Sequence, residues 1–133
     1  WRTDGSDAGT TKVLAVASGR IASLAVAGTT VYASAVDTAA ETAGLWTTDG
    51  TGVMTQVRQF SGVPERITPT GVGSRVLFSA EGDGPTGAEL WKSDGTVAGT
   101  TLVKDVRGGA TGSQPDLFTP VAGGKVAFAA RGG

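Results

Sequence analysis

Three aspartates in this sequence, Asp4, Asp49 and Asp94, each stand three residues after a tryptophan and directly before a glycine. An Asp beside Gly5, Gly50 or Gly95, with backbone carbonyls close by, offers the oxygen ligands that a hard cation such as Ca²⁺ takes. The same pattern also builds a turn. The carboxylate accepts hydrogen bonds from the backbone ahead of it, and the glycine takes a positive φ. The complete calcium-loop patterns are absent, so the turn is the expected role and no metal site is predicted. Trp1, Trp46 and Trp91 raise a parallel question. An exposed indole suits a sugar ring, whereas a buried one contributes apolar area and a single N–H to satisfy. One Trp per repeat, in mid-strand, predicts packing, and Tyr32, Phe78 and Phe128 are expected in the core for the same reason.

Other chemistry has less to stand on. The chain has no Cys and no His, which removes thiolate and imidazole nucleophiles, bases and metal ligands together. Eleven basic residues against twelve acidic ones leave a formal charge of −1, so no electrostatic footprint for nucleic acid is expected. No Gly-rich phosphate loop leads from a strand into a helix. No apolar run reaches the ~20 residues of a membrane-spanning helix. The Asp-Gly-Thr phrase is superficially similar to the Asp-box of sialidases, but its residue order differs. Tyr32 occupies a repeated aromatic slot and the arginines form no cluster, so neither supplies a glycosidase site. Glu65-Arg66 is the one charged pair that breaks the repeat, and it reads as a solvated pair on a loop. The expectation is a non-enzyme with no cofactor.

The elements that position these residues repeat. The tryptophans are 45 residues apart (46 − 1 and 91 − 46), and Thr10, Thr55 and Thr100 recur with them. Gly9 and Gly99 match, with Met54 in the middle copy. The last period predicts four short strands: 88–93, 101–106, 116–121 with a Pro that hints at a bulge or an end, and 125–130 after a Gly123-Gly124 hairpin turn. The earlier periods fill the same slots with 12–16, 21–26 and 30–34, then with 56–60, 66–68 and 75–79. Residues 35–43 are expected to form a long loop. Strand 21–26 is apolar or small on both sides, as for a strand covered on both faces.

Four antiparallel strands every 45 residues is the size of a β-propeller blade, with a β-solenoid as the alternative. The fold class expected is therefore all-β, one repeat array over 1–133 with periods 1–45, 46–90 and 91–133. It divides into two whole blades and two complementary half-blades. Three blades fall short of the usual four to eight. The segment is thus expected to belong to a larger ring or to assemble with copies of itself, two copies giving six. A chain opening on Trp1, inside a repeated phrase, reads as a processed, excised or engineered segment.

Glu89-Leu90-Trp91-Lys92-Ser93-Asp94-Gly95-Thr96, followed by Ala98-Gly99-Thr100, resembles the ELWxxDGT repeat of bacterial proteins that are often secreted or on the surface. The resemblance covers all three periods. It weakens at the middle one, which lacks the Ala-Gly, and at the first, which has Ser6 for Thr. It implies a repeat array, propeller-like, at the cell surface or outside the cell, and carries over no catalytic residues. A ligand, carbohydrate or protein, is expected on loops that differ between repeats: 36–42, 81–86 and 106–114. The competing expectation is a purely structural scaffold.

Overall fold

The computed structural model describes residues 1–12, 19–50 and 54–132. Among these residues the chain is all-β. Its ten strands are β1 (Gly19–Ala27), β2 (Thr30–Asp37), β3 (Thr42–Thr48), β4 (Thr55–Phe60), β5 (Glu65–Pro69), β6 (Val76–Glu81), β7 (Ala88–Ser93), β8 (Thr101–Lys104), β9 (Asp116–Val121) and β10 (Lys125–Ala129). They form two four-stranded antiparallel meanders, β1-β2-β3-β4 and β5-β6-β7-β8, and a two-stranded sheet of β9 and β10. Each meander straddles a period boundary. Neither sheet closes on itself, and Arg2 and Thr11 form an isolated antiparallel bridge outside them. The strand expected at 12–16 falls largely outside the described residues.

Hairpin chemistry accounts for most of the turns. The predicted strands 88–93 and 116–121 coincide with β7 and β9, and Gly123 and Gly124 take positive φ in the turn between β9 and β10. The long loop expected at 35–43 is instead a tight hairpin. Ala35 and Val36 pair with Gly44 and Ala43. Asp37 Oδ1 caps the turn by accepting the amides of Ala39 at 3.0 Å and Ala40 at 3.2 Å. Of the bulge or strand end suggested by Pro120, the end is what is found, since β9 stops at Val121, and the bulge lies elsewhere. Pro120 pairs regularly with Val126, and the register shift falls between Ala127 and Ala129.

The core lies between the two meanders. Tyr32, Leu45, Phe60, Ile67, Val76, Phe78 and Trp91 form its buried cluster. Phe60 meets Phe78 edge-on at 5.7 Å and Trp91 edge-on at 5.1 Å, the arrangement that the ring quadrupoles favour. Tyr32 and Phe78 reach this seam from opposite sides. Tyr32 pairs with Thr47, whereas Phe78 pairs with Trp91. Relative to the tryptophans, Tyr32 is thus one residue out of step with Phe78, and a one-residue shift in a strand moves a side chain to the other face.

Three burial expectations fail for one reason. Phe128 is 37% exposed although it stacks on Phe118 at 5.6 Å, because its sheet has only two strands. In β1, Leu24 is 64% and Val26 is 61% exposed, so that strand is covered on one face and not on both. Trp1 is 76% exposed. Burial here depends on whether a neighbouring sheet lies over the side chain, not on the side chain's own character.

Candidate functional site

The repeated phrase folds into the same hydrogen-bonded turn in the first and last copies. Asp94 Oδ1 accepts the Thr96 amide at 2.9 Å and the Thr96 hydroxyl at 2.8 Å. The Thr96 hydroxyl in turn accepts the Gly99 amide at 2.9 Å. Asp4 repeats the pattern, accepting the Ser6 amide at 2.9 Å and hydroxyl at 2.7 Å, and the Ser6 hydroxyl accepts the Gly9 amide at 2.9 Å. Gly5, Gly50 and Gly95 all take positive φ, at 94°, 85° and 95°. Their amides donate to the hydroxyls of Thr3, Thr48 and Ser93. These local donors hold the carboxyls of Asp4 and Asp94 below the usual carboxylate pKa, the side-chain hydroxyl contributing most.

Gly9 and Gly99 are fixed by space. A Cβ at either would lie 2.0 Å from the Oδ1 of Asp4 or Asp94. The middle copy carries Met54 at that place, and Thr51 lies outside the described residues. The Asp oxygen a cation would use in the first and last copies already receives N–H and O–H donors. No group of three or more acidic side chains that could hold a metal occurs among the described residues.

The phrases do not converge on one site; they follow one another from sheet to sheet. Arg2 Nη1 donates to the Gly50 carbonyl at 2.6 Å, and Thr47 Oγ1 donates to the Gly95 carbonyl at 3.4 Å. The three tryptophans have different surroundings. Trp91 is buried, with the Arg58 guanidinium 4.7 Å from its ring and Gly82 so close that a Cβ there would meet the indole at 2.6 Å. Trp46 is half-buried and Trp1 open. Tyr32 donates its hydroxyl to the Ser74 carbonyl, and burial pushes its pKa up to about 12.

A concavity touches two of the loops that differ between repeats, at Glu81 and Gln114, and none of 36–42. A cleft of about 700 Å³ opens between the second meander and the β9–β10 sheet, lined among others by Glu65, Arg66, Glu81, Gln114, Asp116 and Arg131. Glu65 and Arg66 are not a loop pair: both belong to β5. Arg66 bridges to the next sheet, its Nε 2.7 Å from Asp116 Oδ1, with Glu65 at 3.5 Å. The pairing holds the Asp116 carboxyl below its ordinary pKa and raises that of Arg66. Arg66 and Leu117 sit at equivalent bulges of β5 and β9 with φ of 58° and 54°, and Gln114 has φ 48°. Left-handed backbone at non-glycine residues costs about 1–3 kcal/mol each and collects at ligand clamps and switches.

Sequence reasoning missed Glu89. Its side chain is fully buried and accepts the Ser113 amide at 2.7 Å, the Ser113 hydroxyl at 2.6 Å and the Val106 amide at 2.9 Å. One carboxylate thereby ties the 105–115 connection to β7, next to Gln114 and Pro115, which line the cleft. Gly44 holds the same place in the first meander, opposite Ala35 as Glu89 is opposite Ala80. There the connection after β4 spans only 61–64, and there is no long loop to anchor. The available signal was a charged residue on the same face as Trp91, two residues before it in β7. No protein-family model, curated protein or solved structure matches the chain.

Proposed function

We propose that the chain is a non-enzymatic binding module of β-propeller type, similar to the ELWxxDGT-repeat proteins and acting at the cell surface or outside the cell. The observation that carries this reading is the cleft between the second meander and the β9–β10 sheet. It opens at the strand ends that bear the connections 82–87 and 105–115, where the repeats differ most. Arginine, glutamine and carboxylate side chains on one rim suit a ligand rich in hydroxyl or amide groups, and the ligand class proposed is a carbohydrate or a protein loop.

Binding of the chain to a glycan array and to candidate surface proteins tests the reading. Arg66→Ala, which opens the inter-sheet bridge at the rim, and replacement of 106–114 are expected to abolish binding while the far-ultraviolet spectrum is kept. Full tolerance of both changes would refute the ligand role and leave the scaffold reading. The scaffold reading draws on the turns, whose carboxylate and hydroxyl groups are committed to one another. Turnover of a sialoside or another glycoside in a substrate panel would overturn the non-enzymatic assignment.

A further inference from the structure

The contact that joins successive sheets is a repeated device with one member unused. The residue after the phrase's Trp donates to the carbonyl of the Gly in the next phrase, first from Arg2 to Gly50 and then from Thr47 to Gly95. The third residue of the series is Lys92. It is exposed, and its side-chain ammonium makes no hydrogen bond or ion pair among the described residues.

Around Thr47 the space is filled. Gly95 lies so close to the Tyr32 hydroxyl that a Cβ on it would stand at 3.3 Å. Leu77 pairs with Lys92 as Tyr32 pairs with Thr47, so the neighbourhood of Lys92 is the same place one sheet further on. There a groove of about 480 Å³ lies open, lined among others by Arg75, Leu77, Lys92, Asp94 and Gly124. The chain also carries a turn of the kind that fills the corresponding space. Residues 3–10 have the bonding pattern of 93–100, and Asp4, Gly5 and Asp7 are exposed.

A second register match points the same way. Arg58, opposite Leu45 in β4, covers the ring of Trp91. Lys104, opposite Leu90 in β8, is its counterpart and is exposed. Trp1, the counterpart of Trp91, is bare.

We propose that the groove over Lys92 receives the Asp4–Gly5 turn of a second copy of this chain. Lys92 donates to the Gly5 carbonyl, Lys104 covers the Trp1 indole, and Arg75 and Lys92 face the carboxylates of Asp4 and Asp7. The interface is heterologous, one chain's forward face on the other's rear face, and continues the internal sheet-to-sheet contact. It is independent of the ligand cleft.

Light scattering of the 133-residue chain across a concentration series tests it. Association that weakens in high salt is expected, because the charged pairs are screened there. Lys92→Glu and Trp1→Ala are each expected to raise the dissociation constant roughly tenfold or more, whereas Lys92→Arg, which restores the donor used by Arg2, keeps it. Lys92 and Trp1 are both exposed, so unchanged circular dichroism and melting of the dilute variants verify that only association has moved. A monomer at every concentration overturns the proposal, as does association indifferent to both substitutions.

Discussion

Replacing Glu89 by alanine removes the one acceptor shared by three donors. Hydrogen bonds to a charged group are each worth about 1.5–3 kcal/mol in proteins, and a buried donor left without a partner costs about 1–3 kcal/mol. Ser113 is fully buried, so its amide and hydroxyl bear most of that cost, whereas the Val106 amide is only partly buried and regains water. Against the loss stands the desolvation of the carboxylate itself, several kcal/mol that alanine no longer incurs. The balance is a destabilisation of about 2–4 kcal/mol, somewhat below the usual cost of breaking a buried charged network because the 105–115 connection can move outward. Urea unfolding measures the loss, and amide exchange reports its location, with Ser113 and Val106 losing protection before the core strands do. Glu89→Gln keeps one acceptor oxygen but turns an NH₂ toward donors, so it should fall between the parent and Glu89→Ala. A change below about 0.5 kcal/mol, the range of inert surface substitutions, with Ser113 still protected, would refute the reasoning.

Trp91→Ala should cost about 3–5 kcal/mol by urea unfolding, as for a large aromatic cut from a core. Trp1→Ala, at the same phrase position, should stay within about 0.5 kcal/mol in dilute solution. Gly99→Ala drives a methyl into the Asp94 carboxylate and should cost about 1–3 kcal/mol. In the Asp94→Ala background that cost should shrink, and a double-mutant cycle measures the coupling. Asp4 and Asp94 have folded-state pKa values below the ordinary one, so their stabilisation is complete above the unfolded value and is lost as pH falls through the folded one. Melts should therefore weaken below about pH 4, and less so in Asp94→Asn. Tyr32 runs the other way. Its pKa is raised to about 12 from 10.0, so its contribution is complete below pH 10.0 and is lost between 10.0 and about 12. It is the only tyrosine, so ultraviolet titration reads it directly, and a midpoint near 10.0 would contradict the buried hydroxyl.

Strand positions were legible where local chemistry decides them. β7, β9 and the Gly123-Gly124 turn follow from alternation and from glycines at a positive φ. The 35–43 segment was not, because its small residues resemble loop composition and the hairpin depends on the cap supplied by Asp37. Of the site, the Asp-Gly turns of the first and last copies were legible, since the hydrogen bonds of Asp4 and Asp94 lie within a few residues of sequence. Glu89 was not, because Val106 and Ser113 are brought to it by a connection whose path no local pattern encodes. The ion pair of Arg66 with Asp116 was hidden likewise, spanning 50 residues between two sheets. Trp1, Leu24 and Phe128 were expected to be buried on residue type, a quantity that the neighbouring sheet decides.

The one-residue offset between Tyr32 and Phe78 makes the order of the repeats matter. A seam is formed by the forward face of one sheet and the rear face of the next. The first meander offers Tyr32 forward and, opposite Trp46, only Ala33 to the rear; the second offers Phe78 to the rear and Leu77 forward. Tandem duplication of the first meander would set Tyr32 against Ala33, and duplication of the second would set Leu77 against Phe78. Either leaves one ring where Tyr32 and Phe78 together supply two. The array is periodic in its turns and aperiodic in its packing, so recombination that respects the 45-residue frame can still produce a poorly filled seam. Swapping periods between such arrays is expected to succeed only when both halves of a seam travel together.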